Sequence, residues 1–149
     1  KSLFLRRQIN LKTTKGVMWK QKIRIERELK SSSQSIIWDL ISTAAGLSRW
    51  LANEVIQNDE RLSFTWGEVW SHHEIKTAII TDVVKNSHFR YRWENEEDEE
   101  AFIELRMEKS DLTNDYILII TDYAEPDEID SLKDLWEGDL ERLHQNTGL

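Results

Sequence analysis

Apolar and polar residues alternate from Trp19 to Leu29, with Trp19, Ile23, Ile25 and Leu29 on one face. Lys20, Lys22, Arg24, Glu26 and Glu28 fall on the other. Period two over this length predicts a half-buried strand. Ser31, Ser32 and Ser33 then supply helix-capping side chains, and Ile36, Ile37, Leu40 and Ile41 recur at helical spacing. This predicts a first helix ending near Ser42–Thr43, a break at Gly46, and a second short helix carrying Leu47, Trp50 and Leu51. Alternation returns in Leu62, Phe64 and Trp66 up to a turn near Gly67, along 73–84, and in Phe89, Tyr91 and Trp93. Residues 102–108 and 116–123 read as two further strands, with a turn signal at 111–115. Hairpin-like spacing makes the sheet antiparallel.

The last pattern is helical. Pro126 suits a first helical position, and Asp127, Glu128 and Asp130 complement the positive end of the helix dipole. Ile129, Leu132, Leu135, Trp136, Leu140 and Leu143 form one apolar stripe, and Gly148 marks the end. A helix of about 20 residues spans ~30 Å, enough to cover one face of a small sheet. The expected fold is α+β: a curved antiparallel sheet, two short helices, and a long C-terminal helix packed over it. Residues 1–17 have weak periodicity. They read as an N-terminal extension dispensable for folding, ahead of a domain at 18–149, or as a short extra strand carrying Leu3, Leu5, Ile9 and Leu11.

Composition narrows the chemistry. Among 149 residues, 39% are hydrophobic and 32% charged, which suits one globular domain. The seven tryptophans supply large apolar surface for a core or a concave pocket. There are no cysteines, so disulfide and thiolate chemistry are excluded and a cytoplasmic location is expected. No run reaches the ~20 apolar residues of a membrane span, so no integral membrane association is expected. The net charge of −8 is uneven: residues 1–30 sum to +8 and the rest to −16. An acidic body argues against a nucleic-acid groove.

The motif order in this chain resembles the helix-grip fold of the START/SRPBCC superfamily. It is most similar to bacterial START-like domains related to the heat-shock-ATPase activators. The residues carrying the likeness are 41–52 (ISTAAGLSRWLA), Phe64-Thr65-Trp66-Gly67, 89–94 (FRYRWE), 118–124 (LIITDYA) and Trp136. It covers about Trp19 to Leu149. The fold hosts lipid carriers, cyclases and protein-binding modules alike, so the resemblance fixes architecture and not activity.

Fold and pattern together predict an apolar cavity between sheet and long helix. Trp50, Phe64, Trp66, Phe89, Tyr91, Trp93, Leu132 and Trp136 would line it. Parity keeps each strand's set together, and a one-residue register change would send it outward. Two polar groups are candidates beside them. Arg27 interrupts an apolar face, so it must pair with an acid on a neighbouring strand or bind a ligand anion. Asp122 ends an apolar strand and is either a buried cavity acid or an organiser of the chain before the last helix. Arg90, Arg92, Arg106, Glu104 and Glu108 are expected to form cross-strand ion pairs on the solvated face. The acidic stretch 94–100 is expected to be a solvated hairpin tip. His72 and His73 are adjacent, so on a strand they diverge, and a surface turn is expected.

No zinc-protease pair, P-loop, dinucleotide fingerprint or nucleophile elbow occurs, so no catalytic residue, metal or cofactor is expected. The functional expectation is a non-enzymatic module binding a small hydrophobic or amphipathic ligand. The alternatives are a protein-interaction module, as the resemblance to heat-shock-ATPase activators implies, and a cyclase-like enzyme. An open apolar cavity would favour the first, a sealed tryptophan-filled interior the second, and convergent acid/base groups the third.

Overall fold

The computed structural model describes residues 19–67 and 73–149. The expected 1–17 extension, Met18 and His72 lie outside the described residues. Strand β1 (Gln21–Glu28) leads to α1 (Gln34–Ser42) and α2 (Ala44–Leu47). Six strands follow: β2 (Glu54–Asn58), β3 (Arg61–Gly67), β4 (His73–Val84), β5 (His88–Trp93), β6 (Ile103–Lys109) and β7 (Tyr116–Ala124). A single 3₁₀ turn, Pro126–Glu128, enters the long helix α3 (Ile129–Thr147). The seven strands form one antiparallel sheet in the order β1-β7-β6-β5-β4-β3-β2.

Register decides which face each strand buries. Ile25 pairs with Ile120, which pairs with Leu105, which pairs with Phe89. Leu62 faces Ala78, and Ala78 faces Trp93. These rows point at the helices and form the core with Ile37, Ile41, Leu47 and Leu140. On β4 the buried residues are Lys76 and Ala78, while Ile75 is half-exposed. The Lys76 Nζ sits 4.2 Å over the Trp93 ring, a cation–π contact that helps offset its burial.

Two differences from the sequence pattern concern the short elements. Strand β2 was not expected; it is an edge strand that buries only Val55 and so shows no alternation. Gly46 lies inside α2 instead of breaking the chain, and Trp50 and Leu51 follow the helix. Thr43 joins the two helices: its hydroxyl donates to the Asp39 carbonyl at 2.7 Å and accepts from the Gly46 amide at 2.9 Å. That bend carries the backbone of Gly46 against α1, where a Cβ would stand 1.9 Å from the Asp39 carbonyl oxygen.

The acidic stretch 94–100 is not a solvated tip throughout. Asp98 is fully buried. Its Oδ2 accepts from the amides of Trp19 and Lys20, each at 3.1 Å, and its Oδ1 from the Glu100 amide at 2.9 Å. Glu96 is paired with the buried Lys20 ammonium at 2.5 Å. Arg92 donates to the carbonyls of Glu96, Asp98, Glu99 and Ala101 instead of joining an ion-pair row. The outer face does carry the expected cross-strand pairs in part: Glu104 accepts from both Arg90 and Arg106.

Candidate functional site

Seven of the eight aromatic and aliphatic candidates are buried in the core cluster, and Trp66 packs against it half-buried. Phe64, Trp66, Tyr91 and Trp93 make a contiguous ring cluster with centroids 5.2–6.2 Å apart. Trp50 meets Trp136 at 6.2 Å. Phe89 and Leu132 are buried behind them. Three indole N–H groups are spent on fixed acceptors: Trp50 on the Leu40 carbonyl, Trp66 on the Leu51 carbonyl, and Trp136 on Asp122. These bonds lock the ring planes, as buried indoles require.

The rings fill most of the space they enclose. The void left among Phe64, Trp66, Tyr91, Trp93, Trp136 and Asp122 measures about 20 Å³, room for one water-sized group. Trp50, Phe89 and Leu132 do not border this void and belong to the buried core.

A larger cleft of about 390 Å³ opens beside that void, between α3 and the Ala52–Asn53 and Trp66–Gly67 segments. Ala52, Trp66 and Leu135 give it apolar wall. Asn53, Glu74, Asp134, Asp139 and Arg142 give it polar rim. Trp66, Leu135 and Asp139 border both spaces, so the void is the inner end of the cleft. The rim is held in place. Asn53 Oδ1 accepts from the Gly67 amide at 2.7 Å, and Arg142 pairs with Asp139 while its Nε donates to the Trp50 carbonyl at 3.2 Å. Three acids against one arginine give this rim a negative balance.

Asp122 sits at the inner end, 1% exposed, with Oδ1 accepting from the Tyr123 amide at 2.7 Å and Oδ2 from Trp136 Nε1 at 3.0 Å. It organises the joint between β7 and α3 and also lines the void. Arg27 departs from expectation. It lines neither space, and its partner is Glu137 of α3 at 2.5 Å, with both side chains about half-exposed. Its long stem follows the inner face of β1, but the charged head reaches water at the sheet–helix seam. His73 is the exposed first residue of β4.

Of the cleft residues, the aromatic pattern located Trp66 alone. Asp139 carried a signal that passed unused: it interrupts the apolar stripe of α3 between Trp136 and Leu143. Gly138 carried another, because a glycine in mid-helix costs about 1 kcal/mol against alanine. A Cβ there would meet nothing within 4 Å, so its absence widens the cleft and relieves no clash. No helix among the described residues is long and apolar enough to cross a membrane.

Residues 17–149 match the family model of the START-like superfamily domain, and the chain belongs to that family. A solution structure from Bacteroides fragilis is 38% identical, with 86% of this chain and 91% of that chain covered and a TM-score of 0.58. The Aha1 dimer from Colwellia psychrerythraea is 16% identical over 86% of this chain and 98% of that one, at a TM-score of 0.68. An AHSA1-like protein from Aeromonas hydrophila is 13% identical over 86% and 92%, at 0.66. The last two share the fold. No curated protein matches the chain.

Proposed function

We propose that this domain is a non-enzymatic binding module for a small amphipathic molecule, held in the cleft at the mouth of the sheet–helix space and not in a deep chamber. The observation that carries this is the cleft itself. Its 390 Å³ volume falls within the range of small-molecule sites, and its apolar wall and fixed polar rim match their usual anatomy. The void among Phe64, Trp66, Tyr91, Trp93 and Trp136 measures about 20 Å³, which favours the cleft over that space. Its tryptophans serve as floor and wall.

Native mass spectrometry of the protein purified from its own host should reveal a co-purified small molecule. A Cβ at position 138 meets nothing within 4 Å, so Gly138→Leu should fold, fill part of the cleft and lose that mass. A bound mass that persists in Gly138→Leu would place the ligand elsewhere and sink this reading.

A second reading is a protein-interaction module, similar in role to the Aha1-like proteins whose fold it shares. The packed tryptophan interior favours it. On this reading no small molecule co-purifies, and a protein partner is recovered equally well by the parent chain and Gly138→Leu.

A further inference from the structure

We propose that the cleft selects a cationic amphiphile, a ligand with an apolar body and an ammonium head, and that Asp134 is the carboxylate that reads the head. This rests on the cleft reading above and names the ligand class. The room is the 390 Å³ space, and Ala52, Trp66 and Leu135 supply its apolar wall. An aliphatic or aromatic body seated there gains by leaving water. The wall alone leaves the head undefined, and the charges at the rim define it.

Among the described lining residues, Arg142 is the one base, and Glu74, Asp134 and Asp139 are the acids. Arg142 is taken: it pairs with Asp139 and donates to the Trp50 carbonyl. Glu74 also has a partner within the fold. Asp134 differs. It is exposed, it lines the cleft, and it makes no hydrogen bond or ion pair among the described residues. Gly138 lies one turn further along the same helix face, with open space where a Cβ would be. The charge left for a ligand is therefore the negative charge of Asp134. The rest of α3 adds to it, because that helix carries five carboxylates against Lys133 and Arg142, and the summed field favours a cation. Trp66 lines the same space, and an indole face attracts an ammonium. A ligand carboxylate would compete with Asp139 for Arg142 and meet Asp134 as a like charge. A hydroxyl would gain no charge attraction.

The test compares phenylbutylamine, phenylbutanol and phenylbutyrate on the full chain by calorimetry at low salt. Phenylbutylamine should bind about two- to five-fold more tightly than phenylbutanol, the range of an exposed ion pair, and about ten-fold more tightly than phenylbutyrate. Added salt should shrink that preference and leave phenylbutanol nearly unchanged. Asp134→Asn, at an exposed position, should fold as the parent does, weaken phenylbutylamine about three-fold and leave phenylbutanol as it was. Gly138→Leu should weaken all three. Equal binding of amine and alcohol, a preference for phenylbutyrate, or an amine preference that survives Asp134→Asn overturns the head-group assignment and leaves the cleft standing. Binding of none of the three, or binding that Gly138→Leu leaves untouched, overturns both.

Discussion

Trp136 Nε1 donates a 3.0 Å hydrogen bond to Asp122 Oδ2, tying the middle of α3 to the end of β7 where both side chains are buried. Asp122→Ala would strip two buried donors, Trp136 Nε1 and the Tyr123 amide, of their acceptor. We expect a loss of about 2–4 kcal/mol in urea unfolding. Trp136→Ala should cost about 3–5 kcal/mol through the cavity it leaves. With Trp136→Phe as the milder partner, the double variant should cost about 1 kcal/mol less than the sum of the singles. Strict additivity would mean that the latch carries no energy.

The buried carboxyl of Asp98 should matter where its exposed neighbour Glu99 does not. Asp98→Ala leaves the amides of Trp19, Lys20 and Glu100 without their acceptor. The expected cost is about 3 kcal/mol, while Glu99→Ala, at an exposed position, should stay within about 0.5 kcal/mol. Similar melting temperatures for the two variants would show the stretch to be a solvated tip after all.

Gly46→Ala tests the bend between the two short helices. The added Cβ would overlap the Asp39 carbonyl, and neither backbone can yield without moving a helix. A cost of about 3 kcal/mol follows from overpacking, or roughly 6–12 °C of melting temperature at this size. A variant that melts with the parent would mean that α2 can slide freely on α1.

Acid should weaken the sheet through Glu104. Burial alone would push its carboxyl up, but the hydrogen bonds and charges of Arg90 and Arg106 outweigh that and hold its pKa below the ordinary value. A lowered folded-state pKa contributes stability that is fully present above the unfolded value, ~4.3, and is lost as pH falls through the folded one. Glu104→Gln should therefore be less stable than the parent near neutral pH, with the gap closing as pH falls below the unfolded value and through the lowered folded one. A gap that stays constant in urea titrations across that range would rule out the linkage.

How far the sequence carried depended on whether a residue's role is local. Leu62-Phe64-Trp66 and Phe89-Tyr91-Trp93 alternate strongly enough to mark strands and to keep each set on one side. The face they share depends on pairing with β4 and β6, which alternation within one strand does not encode. Val55 is the lone buried residue of β2, so that strand left no period to read. Asp98 is held by amides 78 and 79 positions earlier in the chain, and nothing near it in sequence distinguishes it from Glu97 or Glu99. The cleft was legible least of all. It is a gap left between Gly138, Asp139 and Trp66, and a gap is a property of packing; only the mid-helix glycine and the acid in an apolar stripe hinted at it.

The placement of β1 beside β7 also sets a timetable. Every other neighbouring pair in the sheet is a hairpin between consecutive strands, able to close soon after it leaves the ribosome. β1 emerges first and has no partner until Tyr116–Ala124 has been made. At about 5–20 residues per second, the stretch from Glu28 to Tyr116 takes roughly 4–18 s to synthesise. Through that interval Ile23 and Ile25 are without their native cover, flanked by Lys22, Arg24, Glu26 and Glu28. The charged side of β1, which makes only exposed contacts in the finished domain, also disfavours pairing of a waiting strand with the wrong chain.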